Sequence, residues 1–167
     1  MNKHSEAATP TVYRYFAYGS NMQFKQMRER CSSASFVGIA KLPGYKLAFT
    51  RYSRQWEGGV ADIVESNHTE VYGVIYTLIR KDLENLDGYE GYSEARAAHL
   101  NSYNRRAIDI QPMDEPKSSV KAWTYFATKQ AEFLPPSARY LHQIIEGAIG
   151  SGLPETYIAH LRTIPSR

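Results

Sequence analysis

The sequence predicts an α+β fold in which a barrel or strongly curled sheet is accompanied by a few helices. Seven short runs have the alternating or β-branched character of strands, whereas only four segments have helical spacing. Regular helices do not separate the strands, which disfavours a parallel doubly wound sheet. A chain of 167 residues has the usual length of one domain and buries about 70% of its unfolded surface on folding.

The predicted strands are spread over most of the chain. Residues 1–11 are polar, so we expect a mobile tail there and a single domain over residues 12–167. The first strand is the most aromatic, since it contains Tyr13, Tyr15 and Tyr18. The predicted strands cover residues 13–18, 36–41, 45–50, 60–64, 71–78, 107–110 and 120–127.

The first two helices are predicted from apolar spacing and from the residues that end them. Residues 23–30 have helical spacing directly after the aromatic strand. Residues 80–87 form a shorter pattern, and Gly88 follows it as a typical helix-ending residue. We therefore expect Asp87 at the end of this helix and Glu90 in the turn beyond it.

The last two helices lie near the C-terminus. The third follows Ser137, which is a good N-cap residue, and ends at Gly150 or Gly152. The fourth opens with Pro154 in its first turn, where the missing N–H of proline costs nothing. Its apolar positions are expected to be buried, namely Tyr157, Ile158 and Leu161.

Composition does not indicate a nucleic-acid or membrane partner. Twenty Lys and Arg against seventeen Asp and Glu give a net charge of +3, too small to imply nucleic acid or a membrane as partner. The densest basic pairs, Arg51 with Arg54 and Arg105 with Arg106, are expected in solvated loops or at strand ends. Cys31 is the only cysteine, which excludes an intramolecular disulfide and favours a reducing compartment. With no apolar signal region at the start, we expect a soluble, cytoplasmic protein.

Two turns contain candidate binding or catalytic residues. The segment Tyr18-Gly19-Ser20-Asn21 joins the first strand to the first helix, and Gly19 lets a ligand approach the main chain closely. Ser20 and Asn21 are expected to cap that helix, and free N–H groups at such a turn bind anions and developing oxyanions. The segment Leu86-Asp87-Gly88-Tyr89-Glu90-Gly91 adds carboxylates.

Other chemistries find less support. Ser20 lacks the Gly-x-Ser-x-Gly elbow of serine hydrolases, and the five histidines have no ligand spacing, so no metal is expected. Asp87 is expected to end its helix rather than to pair with Glu90 in acid-base work. Cys31 is expected to be a buried or inert thiol rather than a nucleophile.

The chain contains, in order, the blocks YFAYGSNM (15–22), WEGGVA (56–61), VYGVIY (71–76), LDGYEG (86–91), Tyr125, Gly147-Ala148 and GLP (152–154). These blocks resemble the gamma-glutamylcyclotransferase family. Their order from about residue 13 to residue 165 is far more specific than any single block. The resemblance implies a small closed β-barrel, mixed but mainly antiparallel and flanked by helices, with no metal or cofactor. It also implies conversion of a γ-glutamyl amide to 5-oxoproline with release of the amine.

The resemblance also implies the site residues. Glu90 corresponds to the catalytic glutamate of the family, which acts first as general base and then as general acid. Amides near Gly19 are expected to bind either the substrate α-carboxylate or the developing oxyanion, and Tyr125 is a pocket tyrosine. The substrate-binding residues implied are Tyr15, Phe16, Ala17, Tyr18, Gly19, Ser20, Asn21 and Tyr125.

The chemistry explains these residue types. The α-amine of the substrate attacks its own side-chain carbonyl in an intramolecular acyl transfer, so no protein nucleophile is needed. One carboxyl group can take the proton of the ammonium and return it to the leaving nitrogen. A pKa raised toward the working pH would help, and Tyr89 and Tyr92 could raise the pKa of Glu90 by removing water.

The sequence does not determine which residues line the leaving-group side of the pocket. Residues 92–103 are polar and longer than the connection expected in the family. Arg51, Arg54, Trp56 and the Gly58-Gly59 turn are candidates for another wall of the pocket. The two glycines permit either close approach of the backbone or only a bend between strands.

Several alternatives also stay open. The leaving group is an amino acid or an amine, or else a larger metabolite that carries γ-glutamyl as a protecting group. A different class is a non-catalytic module that binds a small molecule or a protein. Nucleic-acid binding would need aromatic and basic residues on one exposed face. The sequence does not distinguish a monomer from a homodimer.

Overall fold

The computed structural model describes residues 8–167, and its centre is a closed five-stranded barrel in the order β1-β3-β2-β4-β5. Most neighbours are antiparallel, and β1 closes the barrel by pairing parallel with β5. The predicted mixed, mainly antiparallel barrel is therefore confirmed. The strands are β1 (Val12–Ala17), β2 (Ser35–Ser53), β3 (Gly58–Ile79), β4 (Tyr103–Pro112) and β5 (Val120–Ala127).

Strands β2 and β3 form a long hairpin, so the prediction of four short strands in this region is wrong. Each long strand joins two of the predicted ones, because Pro43 and Gly44 cause a bulge rather than a chain reversal. Pairing passes from Pro43 with Glu70 directly to Tyr45 with Glu65, and residues 66–69 protrude opposite Gly44. The Thr69 hydroxyl closes this protrusion by donating to the Ser66 carbonyl at 2.8 Å.

Four α-helices surround the barrel in the described part of the chain. The first is capped by Gln23, whose side chain accepts a hydrogen bond from the Gln26 amide. The predicted capping by Ser20 and Asn21 is therefore wrong, because these residues form a separate 3₁₀ turn, Ser20–Met22, before the helix begins. The helices are α1 (Phe24–Arg30), α2 (Arg80–Glu90), α3 (Ala138–Ser151) and α4 (Glu155–Arg162).

Helix α2 is longer than predicted, which changes the place of Glu90. Gly88 lies inside the helix, and Gly91 ends it in the left-handed region at φ 66°. The amides of Gly91 and Tyr92 cap the last turn by donating to the carbonyls of Gly88 and Asp87. Glu90 is thus the last helical residue, held by a helix end rather than by a free turn.

The C-terminal helices agree with the prediction. The Ser137 hydroxyl accepts a hydrogen bond from the Tyr140 amide, and α3 ends at Gly152 with φ 78°, not at Gly150. Pro154 is the N-cap of α4 rather than its first helical residue. The apolar face of α4 is buried as predicted, through Tyr157, Ile158 and Leu161.

Helix α3 packs closely on the turn that follows β1. Gly147 makes this approach possible, because a Cβ there would lie 2.6 Å from the Gln23 nitrogen and 2.7 Å from the Met22 carbonyl carbon. Side chains reinforce the contact, since Gln143 donates to Gln26 at 3.1 Å.

The structure describes only part of the predicted N-terminal tail. Residues 1–7 of the predicted tail lie outside the described residues, and residues 8–11 are exposed without regular secondary structure. None of the helices in residues 8–167 is both long and apolar enough to cross a membrane.

Candidate active site

A small cavity lies where β1, the 3₁₀ turn and the end of α2 meet. Its volume is about 40 Å³. Seven of the predicted site residues line it, whereas Phe16 and Ala17 are fully buried in β1 and do not. We call this space the inner cavity; its lining is Tyr15, Tyr18, Gly19, Ser20, Asn21, Ala61, Glu90, Tyr103, Tyr125 and Tyr140.

A larger space of about 300 Å³, the outer cleft, adjoins the inner cavity. The two spaces share four residues, namely Ser20, Glu90, Tyr103 and Tyr140. The rest of the outer cleft is lined by Arg30, Arg51, Tyr52, Ser53, Gln55, Trp56, Val60, Gly88, Tyr89, Gly91 and Ser102.

The predicted wall is only partly correct. Arg51 and Trp56 do line the outer cleft, and Ser102 reaches it from the long segment after Glu90. Arg54 is exposed outside the cleft. The Gly58-Gly59 pair also lies outside it, because Gly59 packs against the Leu134 carbonyl and donates its amide to Pro135.

The Glu90 carboxylate stands at the boundary between cavity and cleft. Its side chain is 16% exposed, and Oε1 accepts a hydrogen bond from Asn21 Nδ2 at 3.1 Å. Arg30 NH1 lies 3.6 Å from the same oxygen. Burial raises the pKa of Glu90, Arg30 and Asn21 oppose that rise, and Asp87 adds to it. The Glu90 carboxyl group therefore holds its proton more tightly than a free glutamate side chain does, with a cation beside it.

Arg30 is a site residue that sequence reasoning missed. It ends α1, where a basic residue looks like a partner of the helix dipole. In the fold it reaches the end of α2, donates to Asn21 Oδ1 at 3.1 Å and lies over the Tyr89 ring at 5.0 Å. Only the packing of α1 against α2 creates this contact, so local sequence patterns contain no signal for it.

Three consecutive residues that line the inner cavity have unpaired amides, namely Gly19 and the first two residues of the 3₁₀ turn. Within residues 8–167, the N–H groups of Gly19, Ser20 and Asn21 donate to no other protein group. The next two amides are occupied by the carbonyls of Gly19 and Ser20. A Cβ on Gly19 would lie 3.1 Å from Ala61 Cβ and 3.4 Å from the Tyr140 hydroxyl, so glycine keeps this wall open.

Tyr125 is held by a second carboxylate. Its hydroxyl donates to Asp87 Oδ1 at 2.7 Å, and Arg105 NH1 lies 3.2 Å from Asp87 Oδ2. Burial raises the pKa of Asp87, and Tyr125 and Arg105 oppose that rise. The expectation that Asp87 ends its helix is wrong, since Asp87 lies within α2. Arg105 is also not a solvated residue, because it stacks on Trp123 at 4.8 Å and is 16% exposed.

Two further tyrosines complete the inner cavity, and sequence reasoning did not select them. The Tyr140 hydroxyl accepts from the Ala61 amide at 3.0 Å, and the Tyr103 hydroxyl donates to the Ala61 carbonyl at 2.7 Å. The chain has thirteen tyrosines, and nothing local distinguishes these two.

Cys31 and the histidines lie apart from this chemistry. Cys31 is fully buried, which confirms the predicted burial, and burial raises the pKa of its thiol to about 12. The described residues contain no group of three His, Cys, Asp or Glu side chains placed to hold a metal ion.

The arrangement can therefore move one proton and bind one anion. A partly buried carboxylate faces the same small cavity as a row of unpaired amides. A reacting carbonyl in that cavity would lie between a proton acceptor and hydrogen-bond donors, as acyl transfer requires.

Comparisons with known proteins add to this geometry. A model of the AIG2-like family matches residues 70–161. Gamma-glutamylcyclotransferase of Mus musculus is 32% identical over 157 residues, which cover 92% of this chain and 79% of the mouse protein. The Homo sapiens protein of that name is 31% identical, over 91% of this chain and 78% of its own. A solved gamma-glutamyl cyclotransferase structure matches with a TM-score of 0.85 at 30% identity, over 94% of this chain and 90% of that one.

Proposed function

Because the chain belongs to the gamma-glutamylcyclotransferase family, we propose that it converts a γ-glutamyl amide to 5-oxoproline and releases the free amine. One observation supports this most strongly. The Glu90 carboxylate and the unpaired amides of Gly19, Ser20 and Asn21 line the same inner cavity. A simple anion-binding module would gain nothing from a carboxylate at that point.

The reaction divides into two proton transfers around one tetrahedral intermediate. Glu90 accepts a proton from the substrate α-ammonium, and the freed amine forms a C–N bond to the γ-carbonyl carbon. Glu90 then returns the proton to the leaving nitrogen as its C–N bond breaks and the oxyanion becomes the lactam carbonyl. The ring nitrogen passes its remaining extra proton to the departing amine, which leaves as an ammonium. Both transfers through Glu90 use the same carboxyl group, which contributes on the order of 10² to 10⁴-fold in rate.

The amides of the 3₁₀ turn supply the second contribution to catalysis, by donating hydrogen bonds to the substrate. They bind either the oxyanion of the tetrahedral intermediate or the α-carboxylate of the substrate. A donor aimed at the oxyanion contributes about 3 kcal/mol to transition-state stabilisation. The tyrosines around the cavity exclude water, which strengthens these interactions.

The two adjoining spaces suggest where each part of the substrate binds. The glutamyl end enters the inner cavity, and the leaving amine lies in the outer cleft. Glu90 lines both spaces. It can therefore reach the attacking nitrogen on one side and the departing nitrogen on the other.

The direct test is product analysis with a panel of γ-glutamyl amino acids and γ-glutamyl amines. We expect 5-oxoproline and free amine in equal amounts from at least one of them, measured by mass spectrometry. The matched α-glutamyl dipeptides should give no product, because their α-amine cannot reach a γ-carbonyl in amide linkage. Absence of 5-oxoproline across the whole panel would contradict the proposed function.

Replacing Arg30 with Met should move the acid limb of the pH–rate profile to higher pH. Glu90 must be ionised to accept a proton, so kcat/KM falls as the pH drops through its pKa. Arg30 lowers that pKa by favouring the ionised form, and its removal lets burial raise it further. The measurement is kcat/KM against pH for both proteins.

Arg28→Met is the matched control for this prediction. Arg28 lies on the same helix and donates to the Ala34 carbonyl, outside both spaces. Its removal should leave the acid limb in place. An acid limb that stays fixed in Arg30→Met would show that the guanidinium does not act on the ionisation of Glu90.

A further inference from the structure

The outer cleft contains one cation with no counter-ion. Its lining has two arginines and a single carboxylate, that of Glu90. Arg30 lies beside Glu90 and hydrogen-bonds Asn21. Arg51, in contrast, makes no ion pair within residues 8–167.

Arg51 is nevertheless held in place. Its NH1 donates to the Thr128 carbonyl at 3.0 Å, and its NH2 donates to Ser102 Oγ at 3.4 Å. A guanidinium has five N–H donors, so three of them are left for another acceptor. A planar group fixed in this way loses little further freedom when it binds a carboxylate.

Arg51 also stands near the reacting end of the cleft. Its NH2 donates to Ser102 Oγ, and the Ser102 amide donates at 3.1 Å to the carbonyl of Gly91, the residue that follows Glu90. Tyr103 lines both the inner cavity and the outer cleft. A group on the leaving nitrogen that extends from the inner cavity into the outer cleft would therefore enter the space that Arg51 lines.

The remaining lining suits an organic group next to that charge. The Trp56 ring lies 4.9 Å from the Tyr140 ring and is covered by the Arg139 guanidinium at 4.6 Å, which fixes its orientation. Ser53 and Gln55 add uncharged polar groups. The cleft thus offers a cation, neutral polar groups and a fixed aromatic face.

We propose that Arg51 determines specificity by binding a carboxylate on the leaving amine, an inference that rests on the proposed function. The preferred substrates are then γ-glutamyl amino acids rather than γ-glutamyl amines that lack this carboxylate. A partly buried cation without a counter-ion is costly to hold, and a carboxylate in the cleft removes that cost.

The test compares γ-glutamylalanine with γ-glutamylethylamine, which differ only by the carboxylate. The wild-type protein should prefer γ-glutamylalanine in kcat/KM. Arg51→Met should reduce that preference about 10- to 100-fold, the range for a lost charge-assisted hydrogen bond. The change should lie mainly in KM, because the carboxylate is bound equally in ground and transition states.

Two variants serve as controls. Arg54→Met removes the same charge three residues later, outside the cleft, and should keep the wild-type preference. Arg51→Lys keeps the charge but loses the fork geometry, so it should retain only part of the preference. A merely misfolded site would lower kcat/KM for both substrates alike and leave their ratio unchanged, which would overturn the assignment of Arg51.

Calorimetric binding to the Glu90→Gln protein separates this inference from the proposed function. We expect tighter binding of γ-glutamylalanine than of γ-glutamylethylamine, and loss of the difference when Arg51→Met is added. Carboxylate-dependent binding without any 5-oxoproline from wild type would overturn the proposed function alone. Turnover with no Arg51-dependent preference would overturn the specificity assignment alone. Absence of both turnover and binding would overturn both.

Discussion

Replacing Glu90 with Gln is expected to lower kcat by at least about 10²-fold and at most about 10⁴-fold. The amide is nearly the same size as the carboxyl group and can still accept the hydrogen bond from Asn21 Nδ2. It cannot take the proton of the α-ammonium, nor return one to the leaving nitrogen. Substrate affinity should change far less than turnover, because the amides of the 3₁₀ turn remain. The measurement is steady-state 5-oxoproline formation, with binding followed by calorimetry.

Glu84→Gln is the control for this loss. Glu84 lies on the same helix but is exposed and lines neither space, so the same change there should leave kcat within about twofold, as surface substitutions usually do. Thermal unfolding of both variants would show whether the fold is intact. Equal turnover by wild type and Glu90→Gln would remove Glu90 from the mechanism. Asp87 could not simply take its place, since its two oxygens already bind Tyr125 and Arg105.

The part of the site that could be predicted lies within short stretches of chain. Tyr18, Gly19, Ser20 and Asn21 are consecutive, so a strand followed by a small-residue turn already indicates exposed amides. Glu90 could also be predicted, since it lies in a block of sequence that resembles the family. The barrel followed from the density of strand-like runs without helices between them, and then from the resemblance.

The rest depends on contacts between distant segments. Arg30 contacts Glu90 only because α1 and α2 pack together. Tyr140 contacts Ala61 only because α3 packs against the barrel. The end of α2 illustrates a different limit. Gly88 and Gly91 are both good helix-ending residues, and only the fold shows that Gly91 takes the left-handed conformation.

Helix α3 determines where the amides of the 3₁₀ turn lie. The Ser151 hydroxyl donates to the Met22 carbonyl at 3.3 Å, and the Tyr76 hydroxyl donates to the Asn21 carbonyl at 3.0 Å. The turn is therefore held from the helix and from the barrel at once. A change that moves α3 outward should disturb both the packing and the amides that face the substrate.

Gly147→Ala is expected to make that change. The new Cβ would lie 2.6 Å from the Gln23 nitrogen and 2.9 Å from Met22 Cβ, so helix and turn must separate. Overpacking of this kind costs about 1 to 3 kcal/mol, which exceeds the gain of roughly 1 kcal/mol from alanine's helix propensity. We expect a lower midpoint of urea unfolding. We also expect kcat/KM to fall about 10-fold or more, because displaced amides no longer meet the reacting carbonyl.

Gly150→Ala provides the matched comparison, because it adds the same methyl group to the same helix three residues later. No atom lies within 4 Å of the added Cβ, so only helix propensity acts and stability should rise by roughly 0.5 to 1 kcal/mol. If Gly147→Ala lowers the stability and Gly150→Ala raises it, the loss is due to crowding against the 3₁₀ turn and not to glycine replacement in general. If both variants were stabilised equally, with turnover unchanged, α3 would not control the position of the turn. The amides would then be held by β1 and Tyr76 alone.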